Sequence, residues 1–145
     1  MSDVQIHGEK TIAGLEILKA AITQATVLAM RTAVREGEES AKATTTWKDR
    51  SGATRGSIRG EVLGLRGRVE ARGASIFLEN GTRAHQIVAR GRALKFFVNG
   101  QAIYRRSVQH PGTKATHFMR DARNHAQVAA DMAVHFYVSF AIQHA

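Results

Sequence analysis

The side chains that could move protons or hold a metal are seven histidines and twelve carboxylates, and their spacing supplies neither function. His117 and His125 fall eight residues apart on one expected helix, about 12 Å along its axis, whereas zinc needs nitrogens within about 2.1 Å of a single ion. His85 and His110 have no helical partner at ligand spacing, and the chain contains no HExxH, CxxC or carboxylate-rich loop. The histidines read as surface or turn residues. Asp49, Glu61, Glu70, Glu79 and Asp121 form no close pair that could divide acid and base roles. The glycines from Gly60 to Gly67 match neither GxxxxGK[ST] nor GxGxxG opening a helix. Glu79, just before the Asn80-Gly81 turn, is expected to form an ion pair with Arg83 or with the basic hairpin that follows. No catalytic, cofactor-binding or metal-ligating residue is expected, and the chain reads as a non-enzyme.

Charge is the stronger signal. From Trp47 to Arg123 there are 16 Lys or Arg against 5 Asp or Glu, while the remaining residues carry 5 against 7. Thirteen of the 16 are Arg, the side chain that grips phosphate or carboxylate with a two-pronged fork. Such an excess is compatible with a solvated surface, with DNA phosphates or with acidic neighbouring subunits.

With 145 residues, 43% of them apolar, the chain suits one domain with one modest core. The lack of cysteine removes disulfides and thiolate metal sites. The N-terminal MSDVQIHGEK lacks the pattern of a signal peptide. The longest apolar run, Met132 to Ile142, is interrupted by His135 and Ser139 and falls short of the roughly 20 residues of a membrane span. The expectation is a soluble, unexported chain with no membrane partner.

These residues must be positioned by a small set of elements. From residues 9 to 43, Leu15, Leu18, Ile22, Ala25, Ala29 and Ala33 recur at three- and four-residue steps, as on one face of a long helix. Thirty such residues reach about 45 Å, longer than a small domain needs, so part of the helix is expected to pack on a neighbouring subunit. Either Gly37 breaks the helix inside the acidic patch Glu36, Glu38 and Glu39, or the helix frays beyond Arg35. Thr44, Thr45 and Thr46 form the exit, and Trp47 anchors the core or its edge. Sheet and basic hairpin occupy 55–110. Ser57 to Leu63 and Arg68 to Arg72 pair across Gly64–Gly67, and Ser75 to Leu78 is expected as a strand. Ala93 to Val98 and Gln101 to Tyr104 flank Asn99-Gly100, the pair best suited to a tight hairpin. That hairpin carries Arg90, Arg92, Lys95, Arg105 and Arg106, and is expected to project as a basic finger. A last helix over 116–143 starts at the N-cap Thr116. Its stripe of Phe118, Ala122, Ala126, Ala129, Ala133, Phe136 and Phe140 is expected to pack on the sheet.

One ordered set of short motifs resembles a known family. Glu79-Asn80-Gly81-Thr82, then Arg83-Ala84-His85, a basic hairpin closing in His110-Pro111-Gly112-Thr113-Lys114, and finally Phe118-Met119 and Ala122 resemble the tail-component family of long-tailed bacteriophages, the neck, tail-completion or minor tail protein Z-like subunits. Ser51-Gly52 and Arg55 match its Ser/Thr-Gly-basic segment loosely. The resemblance spans Arg50 to Ala122. One departure is Thr116-His117, where the family commonly has proline or another restricted residue before the Phe; this predicts a looser loop.

The resemblance implies an α+β fold: a twisted antiparallel sheet with a long N-terminal helix and a C-terminal helix packed on it. It implies a structural virion protein without cofactor, assembled in the bacterial host cytoplasm into a hexameric ring at the head–tail junction. Its partners would be neighbouring connector or stopper and tail terminator or tail-tube proteins, with non-specific contact to genomic DNA. Arg83, Arg90, Arg92, Lys95, Arg105 and Arg106 are the candidates to face subunits or DNA, and Glu79, Gly81, Thr82, His110, Pro111 and Gly112 the turn residues of the motif. The competing reading is a small basic nucleic-acid-binding module. The adjacent Phe96 and Phe97 count against it, because neighbouring strand residues face opposite sides and at least one is expected in the core.

Overall fold

The structure, a computed structural model, describes residues 8–49 and 51–144. The start of the resemblance at Arg50 and most of the stretch read for a signal peptide lie outside them. The fold is α+β: helices α1 (Gly8–Ala43), α2 (Ala53–Ser57), α3 (Ser75–Asn80) and α4 (Phe118–Gln143), with strands β1 (Arg59–Leu63), β2 (Arg66–Glu70), β3 (His85–Val88), β4 (Leu94–Val98), β5 (Gln101–Arg105) and β6 (Ser107–His110). The strands form no single sheet. They pair as three two-stranded antiparallel ribbons, β1 with β2, β3 with β6 and β4 with β5.

α1 runs unbroken for 36 residues, about 54 Å. Gly37 neither breaks nor frays it. A Cβ there would stand 2.9 Å from the Ala126 Cβ and 3.3 Å from Val69, so this glycine marks the close crossing of α1, α4 and β2. Ala25, Ala29, Ala33, Gly37 and Ala41 are all buried at four-residue steps, and Ala122 and Ala133 are buried on α4. Small side chains on both helices bring the two backbones together. The α4 stripe therefore packs mainly on α1 rather than on a sheet, and its last members, Phe136 and Phe140, stay exposed.

The β1–β2 ribbon lies across α1 for the same steric reason. A Cβ on Gly60 or Gly67 would fall onto the Val34 side chain. The Gly60 N–H also donates to the Glu38 carboxylate at 2.7 Å. Together with the Lys42 ammonium, that bond holds the Glu38 carboxyl below the usual carboxylate range.

The core sits at one end, where Ala41, Trp47, Ile58, Phe118 and Ala122 cluster with Val69, Ala71, Leu78 and Met119 around them. Trp47 meets Phe118 edge to face at 5.3 Å and carries the Arg55 guanidinium 4.6 Å above its ring. Arg55 also donates to the carbonyls of Lys42 and Thr44 at the end of α1. The Asp49 carboxylate accepts from the Arg55 and Gly52 N–H groups at 2.7 and 2.9 Å, which lowers its pKa and fixes the start of α2.

Two local expectations are overturned. Ser75 to Leu78 is helical, not extended. A four-residue run with three apolar members does not distinguish strand from helix, and glycines at positive φ, Gly73 and Gly81, bound it on both sides. Thr116 is not the N-cap of α4: its hydroxyl donates to the Leu78 carbonyl at 2.8 Å, and the helix begins two residues later at Phe118.

Candidate assembly surfaces

The two motif segments, 31 residues apart at Thr82 and Thr113, meet in space and lock each other. Thr82 N–H donates to Thr113 O at 2.8 Å, and Thr113 N–H donates back to Thr82 O at 3.1 Å and to the Thr82 hydroxyl at 3.0 Å. Gly81 at φ 71° and Gly112 at φ 93° sit on either side of this exchange. A Cβ on Gly81 would stand 2.5 Å from Thr113 O, and one on Gly112 2.5 Å from Thr82 O. Neither position admits a side chain, by conformation or by space.

Glu79 does something other than pair with a basic residue. Its two carboxylate oxygens accept from the Met119 and Arg120 N–H groups, at 2.8 and 3.2 Å. These are orphan donors of the first turn of α4, so Glu79 caps that helix from α3 and places negative charge at the positive end of its dipole. The segment before Phe118 is tied down rather than loose. Thr116 N–H and hydroxyl both reach Leu78 O, His117 N–H reaches Glu79 O at 3.3 Å, and His117 itself takes the restricted left-handed conformation at φ 53°.

From this lock the basic finger extends. β3 and β6 pair from His85↔His110 to Val88↔Ser107, Ala89 N–H bonds to Arg106 O at 2.8 Å, and after the bend at 90–93 β4 and β5 pair from Leu94↔Arg105 to Val98↔Gln101. Asn99 and Gly100 turn the tip at φ 50° and 80°, as expected for this dipeptide. β4 and β5 pack mainly on each other, so the ribbon stands away from the body.

All six candidate cations are exposed. Arg83 precedes β3, Arg90 and Arg92 occupy the bend, Lys95 lies on β4, Arg105 ends β5, and Arg106 joins β5 to β6. From Gly81 through Arg120 there are eight Lys or Arg and no Asp or Glu. Among the described residues none of the six candidates forms an ion pair.

The sequence reading missed three arrangements. His85 and His110 are cross-strand neighbours with ring centres 5.0 Å apart, which only the β3–β6 register reveals. Among the described residues no group of three or more His, Cys, Asp or Glu could hold a metal. Phe97 and Tyr104 share one face of the finger, 66% and 57% exposed, with the Lys95 ammonium 5.4 and 5.9 Å from their rings. Neither Phe96 nor Phe97 is buried, so the expectation of a core phenylalanine there fails. The third is the distal half of the helix pair. Ile12, Leu15 and Ile17 on α1 are exposed, as are Met132, Phe136 and Phe140 on α4. Among the described residues α1, rather than Met132–Ile142, is the helix long and apolar enough by length and composition to cross a membrane, and little of that stretch is buried.

Comparison of the chain with family models, with curated proteins and with solved structures gives no match.

Proposed function

We propose that this chain is a structural virion protein of a long-tailed bacteriophage, forming a ring at the head–tail neck or tail end that completes and joins the tail and lets the genome pass. The reading starts from the ordered motifs at Glu79–His85, His110–Lys114 and Phe118–Ala122. The observation that carries it further is the mutual locking of the two turn motifs at the root of an acid-free basic ribbon held away from the body. A projecting ribbon and the exposed apolar end of the helix pair give the subunit two unlike surfaces. A closed ring built from head-to-tail contacts uses surfaces of that kind. The chemistry is association, with no bond made or broken.

The direct test replaces residues 89–106 by Asn-Gly, which closes β3 onto β6 at the existing Val88↔Ser107 pair. The expected result is a folded chain that no longer forms rings and phage particles that fail at head–tail joining. Unchanged ring formation and particle yield would end this reading.

Phe97 and Tyr104 favour a second reading. Two exposed aromatic rings flanking Lys95 on an arginine-rich ribbon can stack on bases while the cations follow the phosphates. A nucleic-acid-binding module would hold short DNA with an affinity that falls steeply with salt, the log–log slope being about −0.9 per phosphate contacted on duplex.

A further inference from the structure

A groove of about 800 Å³ runs along the exposed side of α4 against α1. Its distal part is formed by Val128, Met132, Phe136 and Tyr137. A second hollow of about 550 Å³ adjoins it, sharing Glu36 and His125, and adds Glu39 and Asp121. Asp121, His125, Val128, Met132 and Phe136 follow one another at steps of three and four, so a single exposed face of α4 changes from acidic to apolar along its length. No Lys or Arg lines either hollow, although exposed cations stand at the rim: Arg35 is 3.2 Å from Glu36 and 3.9 Å from Glu39, and Arg120 is 3.9 Å from Asp121, surface pairs that an incoming cation can replace.

The finger carries the complement. Its tip is apolar, with Phe97 and Val98 exposed beside the Asn99-Gly100 turn, and Arg92, Lys95, Arg105 and Arg106 follow behind. The five residues of β4 extend about 16 Å beyond the bend. That distance lets an apolar tip and a cationic stem engage different parts of one groove.

We infer that the finger of one copy seats in the α1–α4 groove of the next copy, with Phe97 and Val98 against Met132 and Phe136 and the stem cations toward Glu36, Glu39 and Asp121. The occupant is a second copy of this chain because the same sequence presents both the acid-free basic ribbon and an acidic-apolar groove whose lining holds no Lys or Arg. Their charges and apolar ends are complementary, and burying the two together removes exposed aromatic surface on both sides. Finger and groove are different surfaces, so each subunit offers one to each neighbour and the contacts propagate in one rotational sense. The inference rests on the ring reading and names its interface.

The chain has no cysteine, so engineered thiols report without interference. A chain carrying Phe97→Cys is mixed with one carrying Met132→Cys, oxidised and resolved without reductant, while native mass spectrometry records the assembly before oxidation. The expected result is a mixed disulfide dimer that outnumbers either homodimer, and a ladder of covalent oligomers when both cysteines sit in one chain. The pair Arg105→Glu and Arg106→Glu should abolish the mixed dimer, and Glu36→Lys with Glu39→Lys on the other chain should restore it. Each of these positions is solvent-accessible, and circular dichroism confirms that the variants remain folded. Oligomers of normal size without the mixed disulfide would overturn the finger–groove pairing and leave the ring reading standing. A monomer throughout would overturn both. Protection of the finger by duplex DNA, again without the mixed disulfide, would overturn the pairing in favour of the nucleic-acid reading.

Discussion

The two ends of the α1–α4 pair are built from the same helices and have opposite surfaces. At the proximal end, Ala41, Trp47, Ile58, Phe118 and Ala122 close a core against β1–β2 and α3. At the distal end Leu15, Ile17, Met132, Phe136 and Phe140 face outward, with only the small-residue seam from Ala25 to Ala33 buried between the helices. Core size alone does not account for the difference, because α1 and α4 carry large apolar residues well past the point where any other described element packs on them. The proximal end holds the fold, and the distal end holds the exposed apolar surface on which the proposed contact with a neighbouring copy rests.

That contrast breaks or sharpens under mutation, and the largest effect belongs to the proximal end. Phe118→Ala removes the ring that meets Trp47 and should cost about 3–5 kcal/mol, read as a loss of the cooperative urea transition or a large fall in its midpoint. Phe136→Ser at the distal end should change monomer stability by less than about 0.5 kcal/mol while abolishing self-association. If Phe136→Ser unfolds the isolated chain as Phe118→Ala does, the two ends are not different in kind.

Next in size are the close contacts that seat the ribbon on α1. Gly67→Ala drives a methyl into the Val34 and Met30 side chains; the Met30 thioether can swing aside, but the stiff β-branched Val34 has little room to give. The substitution should cost about 1–3 kcal/mol, whereas Gly64→Ala at the β1–β2 turn meets no atom and pays only for its positive φ. The Glu79 cap follows. Glu79→Ala should cost about 0.5–2 kcal/mol and be seen first as faster amide exchange at Met119 and Arg120. Glu79→Asp, too short to span the same two donors, should recover little.

The smallest effect is titratable. The folded-state pKa of Glu38 lies below the ordinary value of 4.5, through the Lys42 ammonium and the Gly60 N–H. Its contribution is therefore present above the unfolded pKa and lost as pH falls through the lowered folded value. Urea midpoints should drop between neutral pH and about pH 3 in the native chain. Glu38→Gln should flatten the part of that acid limb due to this residue. An identical acid limb in both chains would mean that Glu38 does not fasten the ribbon to α1.

How much of this was legible in the sequence differs element by element. The long first helix, the Asn99-Gly100 hairpin and the C-terminal helix follow from periodicity and turn chemistry, and each lies within two residues of its expected bounds. α3 did not, because a short apolar run has no period of its own. The roles of Gly37, Gly60 and Gly67 are invisible without a neighbour, since a glycine's need for space is set by what crosses it. Glu79 stands out in the sequence for its place before a turn, but its partners are two backbone N–H groups 40 and 41 residues away, and sequence carries no signal for them. The His85–His110 pair and the Lys95–Phe97–Tyr104 face depend on strand register. The distal apolar face was present in the sequence as a helical stripe; that none of the described residues lies opposite it required the fold.

Native mass spectrometry of the purified chain beside Phe136→Ser measures the central claim most directly. The expected spectrum is one closed oligomer of defined stoichiometry for the native chain and a folded monomer for the variant. The same oligomer in both, or a monomer in both, would contradict it.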